Sequence, residues 1–252
     1  MSNEPDSPFH DKRVRQAVSL AINRQFLARQ ETQGIGVPWG YWISAENRDA
    51  LCGDGKDLSV PEYDPEQAKK LLAEAGHPNG FTIKDYFISK SFAFPKVMTL
   101  VQEQLKKVGI NVEMQLVEHP TYHENIRKNL NPFVLYGGTR LTDGDVWLSL
   151  FFYSKEIPDP ATGNKGTNFA HYTGIDDLLE QGRRERDQEK RAQLYHEAQQ
   201  RIMREAICVP IVDVPFLQPR NPKRVQAPFD PEYGEFSLHF NYNYPEMLKI
   251  LD

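Results

Sequence analysis

An α/β fold is what this sequence predicts, on three observations. Apolar residues recur at helical spacing in segments that open on polar caps. Ile110, Val112, Met114 and Leu116 alternate with polar residues, the period of a half-buried strand. From 81 to 136 the order reads strand, helix, strand, helix, strand, which calls for layered crossover connections. With 252 residues the chain forms one large domain or two small ones. A chain of that size buries roughly three quarters of its unfolded surface and needs no disulfide or metal to hold it.

The elements follow in order. Asp11 is available as N-cap for a helix over 12–29, with Val14, Ala17, Val18, Ala21 and Ile22 on one face. GIGVPWGYW is a loop of Gly, Pro and aromatics, and 44–63 is polar and turn-rich. Asp64 caps the next helix, Pro65 takes its first position, Gln67 completes a capping-box spacing and Gly76 closes it. After the HPNG turn, a strand at 81–88, a helix at 94–107 ending at Gly109, and a strand from Ile110 are expected. A short helix near 122–128 and an apolar run at 133–136 come next, then a loop at 137–147 entering a helix at 145–152. Two helices fill 174–206, the second opening at Asp187, and 208–214 reads as a strand. The interleaved charges of RRERDQEKR (183–191) are a solvated helix face.

Composition excludes several classes. Thirty basic against thirty-five acidic side chains leave a net charge of −5 and a pI near 5.8, so no nucleic acid and no anionic membrane is expected as partner. Mean hydropathy is −0.61 and no window approaches the roughly 20 apolar residues of a membrane span, so no membrane insertion is expected. Cys52 and Cys208 are too few for a disulfide framework or a zinc site; they are read as buried free thiols, with pairing in an oxidising compartment as the alternative. The opening MSNEPDSPFHDKR has neither a basic nor an apolar leader region, and its abrupt start suggests part of a longer protein.

Catalytic patterns are mostly missing. GIG at 34–36 lacks the third glycine and a preceding strand, and no G-x-S-x-G is present. His119 and His123 lie four apart, but Pro120 puts His119 at or before the helix start and no third ligand is close in sequence; they read as surface or capping residues. Asp143, Asp145, Glu156 and Asp159 leave a pair of catalytic carboxylates open, against the plainer reading that Asp145 caps the helix through Trp147. PWGYW (38–42) and YGGTRLTDGD (136–145) combine aromatic faces, glycines and an Arg, which suits recognition of flat or amphipathic solutes. The alternative is that Trp39, Tyr41 and Trp42 form a satellite core under a loop.

Four segments together resemble a known family. PFHDKRVRQAVSLAINR (8–24), YDPEQAKKLLAEAGHPNGF (63–81), VQEQLKKVGINVEMQLVE (101–118) and the stretch 166–211 are similar, in this order, to motifs of the family 5 extracellular solute-binding proteins, receptors of ABC importers. The resemblance implies a periplasmic-binding-protein-like lobe, a mixed sheet flanked by helices with an extended C-terminal tail. Residues 1–214 would be the C-terminal ligand-binding lobe, and 215–252 a tail returning to a first lobe outside this chain.

It also implies solute capture by hinge closure, no catalysis, no cofactor and no metal. The expected protein is a periplasmic or extracellular monomer that passes its solute to an importer permease. Family members carry GW..D after an apolar strand. Here Gly138 matches the Gly, Thr139 replaces the Trp, Thr142 falls at the Asp, and Asp143 stands one residue late. Arg140 would suit a carboxylate, a phosphate or sugar hydroxyls. The expected ligand-binding set is therefore Tyr136, Gly138, Thr139, Arg140, Thr142 and Asp143, with Trp39, Tyr41 and Trp42 beside it. The solute class stays open among peptide, opine-like compound, oligosaccharide and metal chelate. Two alternatives are a self-standing α/β hydrolase using Asp143 or Asp145 with Glu156, and a protein-interaction module on the same fold.

Overall fold

Capping chemistry sets the helices of the computed structural model, which describes residues 1–2, 4–32, 36–38, 61–91, 94–138, 143–213, 221, 223–226 and 249–250. Asp11 accepts from the Arg13 N–H and opens α1 (Lys12–Ala21). One helix over 12–29 was expected; instead the chain breaks at Ile22, which is extended. The break comes from Asn23, whose Oδ1 accepts from the Phe26 N–H at 2.9 Å and so caps a separate α2 (Arg24–Thr32). α3 (Pro65–Glu74) starts as its sequence predicts, with Asp64 accepting from the Gln67 N–H and Pro65 in the first turn. Gly76 leaves it at φ +91°, the left-handed exit that glycine allows without penalty.

β2 (Phe81–Ser89) and β3 (Ile110–Val117) are joined by α4 (Phe94–Lys107) and pair in parallel, Phe81 opposite Ile110 and Ser89 opposite Val117. This is the expected crossover unit. The register shifts between Ile83 and Tyr86, where Asp85 takes φ +51°, a bulge that bends β2. At the start of the pair Gly80 (φ +72°) meets Gly109 backbone to backbone, and a Cβ on Gly80 would run into the Gly109 carbonyl. α5 (His119–Arg127) follows and packs on β2.

The run 133–136, expected as a third strand, joins no ladder. A side chain takes the place of its backbone: the Asn131 carboxamide accepts from the Phe87 N–H at 3.1 Å and donates to the Phe87 carbonyl at 2.7 Å. Phe133 stacks on Tyr86 instead, ring centroids 4.5 Å apart. Cys208–Val214 is likewise shorter as a strand than expected. Of its described residues, 208–213, only β4 (Val212–Asp213) is regular, paired antiparallel with β1 (Val37–Pro38).

α6 (Gly144–Phe152), α7 (Asp176–Arg184) and α8 (Gln188–Arg204) form a helical layer, α7 and α8 antiparallel neighbours joined at the Asp187 cap. Two buried clusters result. One gathers α1, α3 and α4 on the β2–β3 pair; the other lies among α6, α7 and α8.

Two buried arginines tie loops to these layers. Arg15 donates to the carbonyls of Phe9 (2.8 Å), His10 (2.7 Å) and Glu205 (3.0 Å). Arg24 donates to Pro210 O (2.8 Å), Ser19 O (3.2 Å) and Ser19 Oγ (2.9 Å), and burial draws its pKa down to about 10. All of this belongs to one compact unit, Met1–Asp213; Val214–Asp252 forms a second. In the second unit β5 (Val225–Gln226) pairs antiparallel with β6 (Lys249–Ile250).

Candidate functional site

Tyr136 stands at the seam of the two buried clusters and packs against both. Its half-buried ring lies 5.6 Å from Phe151 of α6, 5.6 Å from Phe169 and 5.8 Å from His123 of α5, centroid to centroid. Phe169 is held there by a buried asparagine. Asn168 donates to the carbonyls of Tyr153 (3.0 Å) and Tyr172 (2.7 Å) and accepts from the Tyr172 N–H (3.2 Å). An irregular segment thus gains the rigidity of a regular one, because each polar atom of that amide is satisfied.

Beyond Tyr136 the chain becomes Gly137 and Gly138, both exposed. Gly138 lies against the outer edge of the Trp147 indole, and a Cβ there would collide with it. Any side chain at this position would push the ring aside, so glycine suits the close approach. The chain re-enters regular structure at Asp143, whose Oδ1 accepts from the Asp145 N–H at 2.8 Å and caps α6. The cap was expected at Asp145, two residues later. Asp145 is instead committed elsewhere: it pairs with Arg183 Nε at 3.0 Å and accepts from Ser149 Oγ at 2.9 Å. Arg183 also lies over the Tyr153 ring, 4.7 Å from its centroid. Burial, helped by the neighbouring Asp145 and Asp143, pushes the Tyr195 hydroxyl up to about 12.

Of the residues expected from sequence, Tyr136 stands at this seam, Gly138 lies against Trp147 and Asp143 caps the start of α6. Thr139, Arg140, Thr142, Trp39, Tyr41, Trp42 and Cys52 lie outside the described residues. Cys208 is a free, half-buried thiol that burial pushes up to about 12. Asp159 turns on its own loop, accepting from the Ala161 N–H and the Thr162 hydroxyl, and these bonds hold its carboxyl below the usual range.

Sequence reasoning missed Phe151 and Phe169, which reach Tyr136 from other elements and leave no local signal. It also dismissed the two histidines. His119 and His123 face each other with Nε2 atoms 3.1 Å apart, and His119 Nδ1 is 2.9 Å from Ser89 Oγ. Burial, then the charges of His119 and Arg127, holds His123 below the usual imidazole range.

Comparison with known proteins sets this geometry in context. Residues 1–159 match the profile of the bacterial extracellular solute-binding proteins, family 5 middle. The glutathione-binding protein GsiB of Shigella flexneri is 29% identical over 216 residues, 83% of this chain and 41% of its own. The heme-binding protein A of Haemophilus influenzae is 30% identical over 245 residues, 92% of this chain and 43% of its own. Among solved structures, the binding protein MoaA of A. tumefaciens R10 in complex with mannopinic acid superposes with a TM-score of 0.73 at 34% identity, covering 83% of this chain and 41% of that one. The chain thus spans about two fifths of the length of these relatives. With the profile matched over more than half its residues, the chain belongs to the family 5 bacterial extracellular solute-binding proteins.

Proposed function

We propose that this chain supplies the ligand-closing lobe of a solute receptor that serves an ABC importer. Residues 1–214 act as the lobe, and 215–252 as the tail that returns to a first lobe. The observation that carries this reading is the Tyr136 seam, where an aromatic platform runs into an exposed Gly137–Gly138 backbone and then into the capped start of α6. Such a platform offers a π face and bare peptide groups to a solute. A single lobe offers only half the contacts, so closure of a partner lobe completes the site. The receptor works in the periplasm or outside the cell, as a monomer that hands its solute to the importer permease.

The solute is a small organic acid of the peptide or opine-like class, with Arg140 on its carboxylate. Relatives named for glutathione, heme and mannopinic acid support a polyfunctional, acid-bearing ligand over a simple sugar. Catalysis is not part of the role. Two of the carboxylates a hydrolase would draw on have structural partners: Asp145 pairs with Arg183 and Ser149, and one oxygen of Asp143 caps α6. Calorimetric titration of the product of the complete reading frame, with peptide and opine panels, tests this reading. Arg140→Ala is expected to weaken binding by about 1.5–3 kcal/mol, a charge-assisted bond. An unchanged dissociation constant removes Arg140 from the site, and steady turnover of any panel member overturns the receptor reading.

A further inference from the structure

Two stripes of side chains hold α6 in place, and they do different work. The buried stripe is Trp147, Leu148, Phe151 and Phe152. Apolar burial is non-directional, so it seats the helix without fixing how the helix is turned about its axis. The second stripe is polar and supplies direction. Asp145 and Ser149 lie one turn apart on one face, and Tyr153 follows at the same spacing just past the helix end. All three meet α7.

Arg183 of α7 makes most of these contacts. Its Nε donates to both oxygens of Asp145, at 3.0 and 3.1 Å, and its Nη2 donates to Ser149 Oγ at 2.6 Å. The Ser149 hydroxyl donates in turn to Asp145 Oδ1 at 2.9 Å, which closes a ring of hydrogen bonds. The guanidinium also lies over the Tyr153 ring, whose hydroxyl donates to Glu180 Oε1 of α7 at 3.0 Å. A planar fork suits this task, because a lysine would meet the same acceptors as a point charge. α7 has its own seat on α8: a Cβ on Gly182 would collide with the Tyr195 ring, and Arg201 pairs with Asp177 at 3.0 Å.

The turn that Arg183 holds is the one that opens on the proposed site. Asp145 N–H donates to Asp143 Oδ1 at 2.8 Å, Trp147 N–H donates to the Asp143 carbonyl at 3.2 Å, and the Trp147 indole borders Gly138. We propose that Arg183 is a positioning residue of the receptor. Through Asp145 and Ser149 it fixes the turn of α6 about its axis, and so the placement of Asp143 and of the Gly138–Trp147 contact in the solute site. This inference rests on the receptor reading above, and Arg183 acts through α6 rather than by touching the solute. The Arg183 and Asp145 side chains are 36% and 25% exposed, so their pair adds little to global stability and its effect is local.

The test has two arms. In the first, amide hydrogen exchange of the 252-residue chain is read residue by residue by NMR. Arg183→Met should speed exchange at the Asp145 and Trp147 amides about tenfold or more while the amides in the middle of α8 keep their rates. Asp145→Asn should have the same effect, and the double variant should add little to either single one. Arg201→Met removes an ion pair of the same kind between α7 and α8 and should leave Asp145 and Trp147 unchanged. In the second arm, calorimetry on the product of the complete reading frame uses the tightest-binding member of the peptide and opine panel. Arg183→Met should weaken binding about tenfold with only a small shift in the unfolding midpoint. Unchanged exchange at Asp145 and Trp147, an equal acceleration across all amides, or the same local effect from Arg201→Met overturns the proposal. Unchanged affinity in Arg183→Met overturns it while the receptor reading stands; a panel with no binder for the wild type overturns both.

Discussion

Asp143 holds two possible roles in one carboxylate, and substitution separates them. Its Oδ1 caps α6, so Asp143→Ala should lower stability by about 1 kcal/mol, measured by thermal or urea unfolding. Asp143→Ser keeps a good cap and should unfold within a few tenths of a kcal/mol of wild type. If the carboxylate also anchors a cationic group of the solute, the Ser variant loses binding at unchanged stability; unchanged binding makes Asp143 a cap alone. Arg24 is the structural counterpart. Its three short bonds to Pro210 O, Ser19 O and Ser19 Oγ are buried, so Arg24→Met should destabilise by about 2–4 kcal/mol, with polar oxygens left unpaired. A loss below 1 kcal/mol would mean those oxygens find other partners. Part of this was legible in the sequence: an Asp at the entrance of an apolar helix announces a cap. The choice between Asp143 and Asp145 was not legible, because Arg183, which claims Asp145, lies far along the chain.

Glycine pairs do at the level of elements what caps do for helices. Gly80 and Gly109, the residues that lead into β2 and β3, meet by direct backbone contact at the start of the parallel pair, and Gly80 adds φ +72°. Gly80→Ala should therefore destabilise by about 2–4 kcal/mol, from strain and overpacking together. A neutral result in denaturant titration would show that the turn can relax apart from the sheet. Gly138→Val should displace the Trp147 ring it faces, with a shift in tryptophan fluorescence and a loss of roughly 1–3 kcal/mol; an unmoved spectrum would place the indole elsewhere. Helix starts and the parallel pair were readable because Asp64, Pro65, Gly76 and the period-two run at Ile110 act locally. The break at Asn23 was missed because an apolar face runs across it while the cap forms within four residues. The run 133–136 failed as a strand for a non-local reason: Asn131 spends its amide on Phe87, which no strand pattern discloses.

At the scale of the whole molecule, the described residues form two cores of different make, one on a parallel β pair and one helical, which among those residues share one aromatic, Tyr136, at their junction. The order of motifs was enough to suggest the family, and the profile match over residues 1–159 establishes it. The site was less legible, since Phe151, Phe169 and His123 converge on Tyr136 from three separate segments. In the proposed receptor, Tyr136 and the glycines after it form one wall of the site, and a wall binds weakly until a second closes over it. The central claim is that this chain is one of two closing lobes. It is tested by calorimetry of the best-binding solute against two proteins, the 252-residue chain and the product of the complete reading frame. The account predicts saturable one-to-one binding to the longer protein, at least about a hundredfold tighter than to the chain alone. Equal affinity in the two would contradict it, because the chain would then hold a complete site by itself.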